Sequence, residues 1–179
     1  MPRSLRWIAL SFVVISLRSA LAADPPALDA HLEPLRPLLG RTLKGFFPES
    51  KPDKPLADVV RWEAILNGKA IRVMHSVNDG AYGGETIIRW DADQKAIAFY
   101  YFTTADFMTS GTMTIEGTRI TTHESVKNNA QGITAVRGTS ELLPDGKLRV
   151  KTEYEKDGQW TPGRDMTYEE APDAEVKFK

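Results

Sequence analysis

The chain has 179 residues, no cysteine and a formal net charge of −1 at pH 7. This length is enough for one domain with a sizeable hydrophobic core. The near-balance of charge argues against a protein that binds nucleic acid or an anionic membrane surface through a basic face. The absence of cysteine excludes disulfide bonds and thiolate chemistry.

The first 22 residues have the features of a secretory signal peptide. Arg3 and Arg6 form a positive start, 7–17 is a short apolar stretch, and Ala20-Leu21-Ala22 fits an A-x-A cleavage site. The apolar stretch is too short for a comfortable membrane span, although an uncleaved anchor is the alternative. We therefore expect a periplasmic or secreted protein with no membrane span after cleavage. Without the three arginines of the signal, Lys+Arg falls from 23 to 20 against 24 acidic residues, a net charge of about −4.

Residues 23–40 are predicted to form a helical leader. Leucines recur at roughly helical spacing over 28–39, and Gly40 is a suitable stop. Pro34 and Pro37 predict that the helix is short or broken. Such an element could cover one end of a barrel.

Residues 41–171 read as a series of short strands separated by turn dipeptides. Asn-Gly or Asp-Gly occurs at 67–68, 79–80, 145–146 and 157–158, and these pairs favour tight hairpins. The predicted strands are 41–47, 58–66, 69–77, 85–90, 96–103, 107–116, 118–126, 133–143, 147–156 and 159–170. A series of hairpins predicts an all-β fold, a single antiparallel up-and-down β-barrel of about eight to ten strands, because closure removes exposed edges. Residues 172–179 are left as a C-terminal tail.

Strand 147–156 shows the alternation most clearly. Leu148, Val150, Thr152 and Tyr154 share one face, and the other face carries only charged residues. An outer-membrane barrel would instead present apolar residues outward. The pattern therefore predicts a water-soluble barrel.

The same alternation places ionisable groups inside the barrel. Glu124 shares a face with apolar residues of 118–126, and Arg164 shares a face with Trp160, Met166 and Tyr168. Buried charges are normally paired or serve a site. Glu124 and Arg164 either anchor a ligand headgroup or form a buried ion pair that fixes the register.

Four further residues are candidates for the barrel interior. His75 lies on the more apolar face of 69–77 and could bind haem or a metal, act as a base, or be satisfied by a neighbouring hydroxyl. Arg72 lies on the opposite face of that strand. Tyr101, in an aromatic run, and Trp62 could line a pocket or pack in the core.

Motifs that would indicate an enzyme are missing from the sequence. It contains no G-x-S-x-G, no H-E-x-x-H, no P-loop and no dinucleotide-binding fingerprint. We therefore favour a protein that is not an enzyme and has no obligatory cofactor, with haem on His75 as the alternative.

Several of these motifs together resemble a family of calycin-like barrels, largely uncharacterised exported bacterial proteins. The residues that carry the resemblance are Trp62-Glu63, Asn67-Gly68-Lys69, Asp79-Gly80, Gly83-Gly84 and Trp90-Asp91. The segment from Gly40 to Gly45 is also similar to the G-x-W-x-G opening of lipocalins and nitrobindin-like haem barrels, with Leu43 in place of the tryptophan. The resemblance implies an up-and-down barrel with one internal cavity and no settled activity.

The sequence leads to a binding hypothesis with two alternatives. A small apolar or amphipathic molecule would bind inside the barrel, oriented by Arg72, Glu124, Arg164 and Tyr168 and lined by Trp62, Tyr101 and Met166. The first alternative is a haem protein or enzyme that uses His75. The second is a structural or envelope-interaction protein whose barrel is filled by its own side chains.

Overall fold

The computed structural model describes residues 27–179, so the predicted signal peptide, 1–22, lies outside the described residues. Within 27–179 the chain forms ten antiparallel strands that close into a barrel in the order β1-β10-β9-β8-β7-β6-β5-β4-β3-β2. The strands are β1 Thr42–Phe46, β2 Ala57–Ile65, β3 Ala70–Val77, β4 Tyr82–Asp91, β5 Ala96–Thr103, β6 Met108–Glu116, β7 Arg119–Lys127, β8 Ala135–Leu142, β9 Leu148–Lys156 and β10 Gln159–Glu170. The predicted all-β barrel is confirmed.

Each strand pairs with its neighbours along the chain, and β1 closes the ring by pairing with β10. Leu43 lies opposite Glu170, and Gly45 lies opposite Tyr168. The turn between β9 and β10 has the geometry that its sequence predicts, with φ of 52° at Asp157 and 75° at Gly158. This ladder leaves no open sheet edge between β1 and β10.

One end of the barrel is closed by the leader. The helix is a short 3₁₀ segment, Glu33–Leu38, and Gly40 ends the leader with φ of 76°. Leu32 and Leu35 are fully buried in the same cluster as Leu43 and Ile71. His31 stacks on Trp90 with ring centroids 3.7 Å apart, which holds the leader against the end of β4. The core therefore fills this closed end.

Strand β10 contains the main departure from regular alternation. The register against β9 shifts between Pro162 and Asp165, a β-bulge. After the bulge, in chain order, Met166 and Tyr168 point inward and are buried. Before the bulge, in chain order, the two faces of the strand are exchanged. Trp160 therefore lies outside, with its ring centroid 4.4 Å from Arg137 Cζ. The prediction that Trp160 shares the inward face of Arg164 is therefore wrong.

The C-terminal tail lies against the outside of the barrel. The Ala171 backbone N–H donates to Thr42, and the Lys177 N–H donates to Ser76 Oγ at 3.0 Å. Within residues 27–179, no helix has the length and apolar character needed to cross a membrane.

Candidate functional site: a polar cluster in the barrel cavity

The half of the barrel opposite the leader contains a cavity of about 270 Å³. A wider outer chamber of about 380 Å³ shares Tyr82, Phe107 and Tyr154 with it and is bordered by the β7–β8 loop. The walls of the inner cavity combine apolar and polar side chains, namely Val60, Val73, His75, Tyr82, Thr86, Phe99, Tyr101, Phe107, Thr109, Glu124, Val136, Thr152, Tyr154 and Arg164. The closed end of the barrel is packed, whereas this end keeps open space.

Asp58, on the inward face of β2, is the centre of a polar cluster on one wall. Its side chain is fully buried and its carboxylate accepts three hydrogen bonds. The donors are Tyr168 Oη at 2.9 Å, Arg164 Nη1 at 3.1 Å and His75 Nδ1 at 3.0 Å. Burial alone would raise the pKa of Asp58, but its contacts with His75, Arg164 and Tyr168 outweigh burial and hold the pKa below its ordinary value.

Arg164 shares the inward face of Met166 and Tyr168 and joins β10 to β2. Its Nη1 donates to Tyr168 Oη at 2.9 Å as well as to Asp58, and its guanidinium lies 5.4 Å from the Phe47 ring centroid. Burial acts to lower the pKa of Arg164, but Tyr168 and Asp58 raise it overall, so the side chain stays charged. The charges of Arg164 and Asp58 therefore balance.

His75 connects this cluster to two tyrosine hydroxyl groups. Its Nε2 lies 2.7 Å from Tyr101 Oη, which in turn lies 2.6 Å from Tyr82 Oη. Burial raises the pKa of both tyrosines, so their hydroxyl groups stay protonated. Gly84 makes room for the Tyr101 ring, because a Cβ at position 84 would lie 2.5 Å from Tyr101 Cε2.

Both ring nitrogens of His75 are occupied in this arrangement. One bonds to Asp58 and the other to Tyr101, which corresponds to the alternative in which a neighbouring hydroxyl satisfies the histidine. A role as axial haem ligand or free base would require Tyr101 to move away. Among residues 27–179, no group of three or more acidic or histidine side chains is placed to hold a metal ion.

Glu124 faces the cavity from the opposite wall. Thr109 Oγ1 donates to Glu124 Oε2 at 2.7 Å. Burial raises the pKa of Glu124, and the hydrogen bond from Thr109 only partly offsets this. Glu124 therefore favours the protonated, uncharged form more than an exposed glutamate does.

The structure separates two residues that the sequence suggested as a pair. Arg164 bonds to Asp58 and Tyr168, while Glu124 bonds to Thr109. The possible Glu124–Arg164 ion pair is therefore wrong. The correct partner, Asp58, lies 106 positions away from Arg164 in sequence.

The other predicted site residues fall in three places. Tyr101 lines the cavity. Met166 points inward and belongs to the core cluster, and Trp62 points inward and packs against that cluster. Arg72 lies on the outer wall, where its Nη2 donates to Glu63 Oε2 at 2.6 Å, so it cannot orient a molecule inside the barrel.

Sequence reasoning missed Asp58, Tyr82 and Tyr154. Asp58 has a detectable signal, because it shares the inward face of β2 with Val60 and Trp62. The predicted strand 58–66 begins at Asp58, but a carboxylate at the first position of a strand does not by itself indicate a buried site. Tyr82 begins β4 three residues before the predicted start of that strand.

A second depression, of about 500 Å³, lies on the outer wall beside the bulge. It is bordered by charged side chains that pair with each other: Arg137 with Glu153 and Lys151 with Asp165. These pairs are exposed, so water screens them. The cavity with its buried cluster is the stronger candidate for a site.

Comparison with known proteins supports the fold alone. No family model matches the chain, and a search of curated proteins finds no match. Among solved structures, the chain is similar to Rv2717c from M. tuberculosis, with a TM-score of 0.55 and 16% identity over 79% of this chain and 96% of that one. This similarity places the chain among barrels of this shape.

Proposed function

We propose that this protein binds a small, uncharged, partly apolar molecule in the barrel cavity. The observation that carries the proposal is a cavity of about 270 Å³ in which the guanidinium of Arg164 is already paired with the buried Asp58, 3.1 Å away. A charged ligand would leave an unpaired charge in this site, which is costly. An uncharged ligand can use the apolar wall and still reach the hydroxyl groups.

The cavity volume sets the size of this ligand. An apolar cavity of about 150 Å³ is known to hold one benzene molecule. The inner cavity here is larger, at about 270 Å³, so a substituted single ring or a branched aliphatic molecule fits. Phe99, Phe107, Val60 and Val136 supply the apolar contacts.

Binding can be tested with 4-fluorotoluene, followed by its ¹⁹F NMR signal during titration. We expect saturable binding by the wild type and at least tenfold weaker binding by Val136→Phe, because the added ring occupies the cavity. Ala135→Phe is the matched control, since Ala135 is the adjacent residue and pairs with Ser125 and Glu155 on the outer face. Absence of saturable binding by the wild type, or equal binding by Val136→Phe, would contradict the proposal.

We also propose that the protein acts after export, in the periplasm or outside the cell. The support is the signal-like sequence of residues 1–22. Mass spectrometry of the protein from the periplasmic fraction should show a chain that begins after Ala22 or Ala23. An intact chain found only in the cytosol would contradict export.

The closed ten-strand barrel with one accessible end also supports a calycin-like relationship.

A further inference from the structure

A chain of four hydrogen-bonded groups runs from the buried cluster into the cavity and has a fixed direction. It begins at Asp58, whose carboxylate can only accept, and Tyr168 and Arg164 already donate to it. His75 Nδ1 must therefore carry a hydrogen to bond Asp58 at 3.0 Å. In the neutral imidazole, Nε2 is then an acceptor.

The same reasoning continues through the two tyrosines. Tyr101 has one hydroxyl hydrogen, and it is directed at His75 Nε2, 2.7 Å away. The Tyr101 oxygen must then accept from Tyr82, whose Oη lies 2.6 Å away. Tyr82 thus uses its only hydrogen inside the chain. What remains for the cavity is a lone pair on Tyr82 Oη.

Tyr82 is placed where a bound molecule would meet this lone pair. Its side chain borders both the inner cavity and the outer chamber. Its ring stacks on Phe107, with centroids 6.4 Å apart and planes inclined by 15°. The acceptor therefore lies beside an apolar surface suited to a flat ring.

From this arrangement we propose that the cavity selects ligands that carry a hydroxyl or N–H donor on a small ring, of the phenol class, and that this donor bonds Tyr82 Oη. The inference rests on the proposed function and defines its ligand chemistry. At Tyr82 Oη, a molecule of the same size that only accepts hydrogen bonds would place its acceptor against a lone pair. The selectivity originates in Asp58, which orients the whole chain without touching the ligand.

Three probes of similar size test this selectivity: 4-fluorophenol as donor, 4-fluorobenzonitrile as acceptor and 4-fluorotoluene as neither. The titrations are run at pH 8 and followed by ¹⁹F NMR. We expect the wild type to bind the phenol about fivefold more tightly than the nitrile, the size of one net hydrogen bond.

The variant Tyr101→Phe separates this proposal from a merely structural role. Without Tyr101 Oη, the Tyr82 hydrogen is free to donate into the cavity, so the preference should shift by about fivefold toward the nitrile. Tyr100→Phe is the matched control, because Tyr100 is the adjacent residue, points outward and is 42% exposed. Binding of 4-fluorotoluene should stay within about twofold in both variants, which reports an intact cavity.

Each outcome decides between the two proposals. If 4-fluorotoluene binds but the ratio of phenol to nitrile affinity is the same in wild type and Tyr101→Phe, the inference is overturned and the proposed function stands. If none of the probes binds the wild type, both are overturned. If Tyr101→Phe does not fold, Tyr82→Phe replaces it, and its failure to reduce the phenol preference overturns the inference.

Discussion

At the scale of single residues, the site depends on a contrast between two buried carboxyl groups. Asp58 accepts hydrogen bonds from three donors and is held charged, while Glu124 accepts one and is driven toward its neutral form by burial. Both carboxyl groups belong to the same barrel interior. The difference between them is the number and charge of their partners.

Glu124 predicts a pH-dependent cost to stability. Burial raises its folded-state pKa above the ordinary value of 4.5, so its contribution to stability is fully present below about pH 4.5 and is lost as pH rises through the folded-state pKa. The variant Glu124→Gln removes this titration. In urea unfolding, it should be more stable than wild type at pH 8, and the difference should vanish at pH 4.

Glu153 provides the control for this experiment. It lies exposed on β9, and the hydrogen bond from Arg137 lowers its pKa, so the sign is reversed. Glu153→Gln should bring no gain at pH 8. If Glu124→Gln is no more stable than wild type at pH 8, burial does not raise the pKa of Glu124.

Arg164 predicts a large loss of stability on removal. Arg164→Met leaves the fully buried Asp58 carboxylate without its cationic partner, and breaking a buried pair in this way costs about 3–5 kcal/mol. Arg137→Met removes a comparable contact, the 2.6 Å pair with Glu153, but on the exposed outer wall. That variant should lose much less stability in urea unfolding, because water screens the exposed pair. Equal losses in the two variants would show that the Asp58 pair does not depend on burial.

At the scale of the strand, the bulge in β10 decides which side chains reach the cavity. It inserts an extra residue opposite β9, so Trp160 lies outside although Arg164 faces inward. At this point Gly163 packs closely against the side chains of Thr152 and Tyr154 on β9. A Cβ on Gly163 would lie 2.6 Å from both Thr152 Oγ1 and Tyr154 Cε2.

Gly163→Ala is therefore expected to disturb the site as well as the strand. The added methyl group collides with Thr152 and Tyr154, and overpacking of this kind costs about 1–3 kcal/mol. Because Tyr154 lines the cavity, binding of 4-fluorotoluene should also weaken. Pro162→Ala, at the exposed neighbouring position, should change neither property by a comparable amount. If Gly163→Ala keeps the stability and the binding of the wild type, Gly163 does not pack tightly against Thr152 and Tyr154.

The bulge also shows how far the sequence predicts this molecule. Period-two alternation correctly placed Glu124 and Tyr168 inside, because a regular strand changes face at every residue. It failed for Trp160, because one inserted residue exchanges the faces beyond it. The Asp58–Arg164 contact joins residues 106 positions apart, and alternation specifies a face but carries no information on which strands meet across the barrel.

At the scale of the whole molecule, stability and the candidate site occupy opposite ends of the barrel. The leader closes one end with Leu32 and Leu35, which are fully buried. The cavity and its outer chamber occupy the other end, beside the loops at 104–107 and 128–134. A barrel divided in this way can keep a packed core and still leave space for a ligand.

This division predicts that the two properties can be changed separately. Leu35→Ala removes a fully buried side chain from the closed end and should lower the free energy of unfolding by about 3 kcal/mol in urea. Its affinity for 4-fluorotoluene should remain that of the wild type, because Leu35 does not line the cavity. Val136→Phe should weaken the binding of 4-fluorotoluene and leave the free energy of unfolding near that of the wild type, since its added ring fills the cavity at the other end. If Leu35→Ala weakens binding as much as Val136→Phe does while most of the protein remains folded, the two ends are coupled and the leader helps to shape the site.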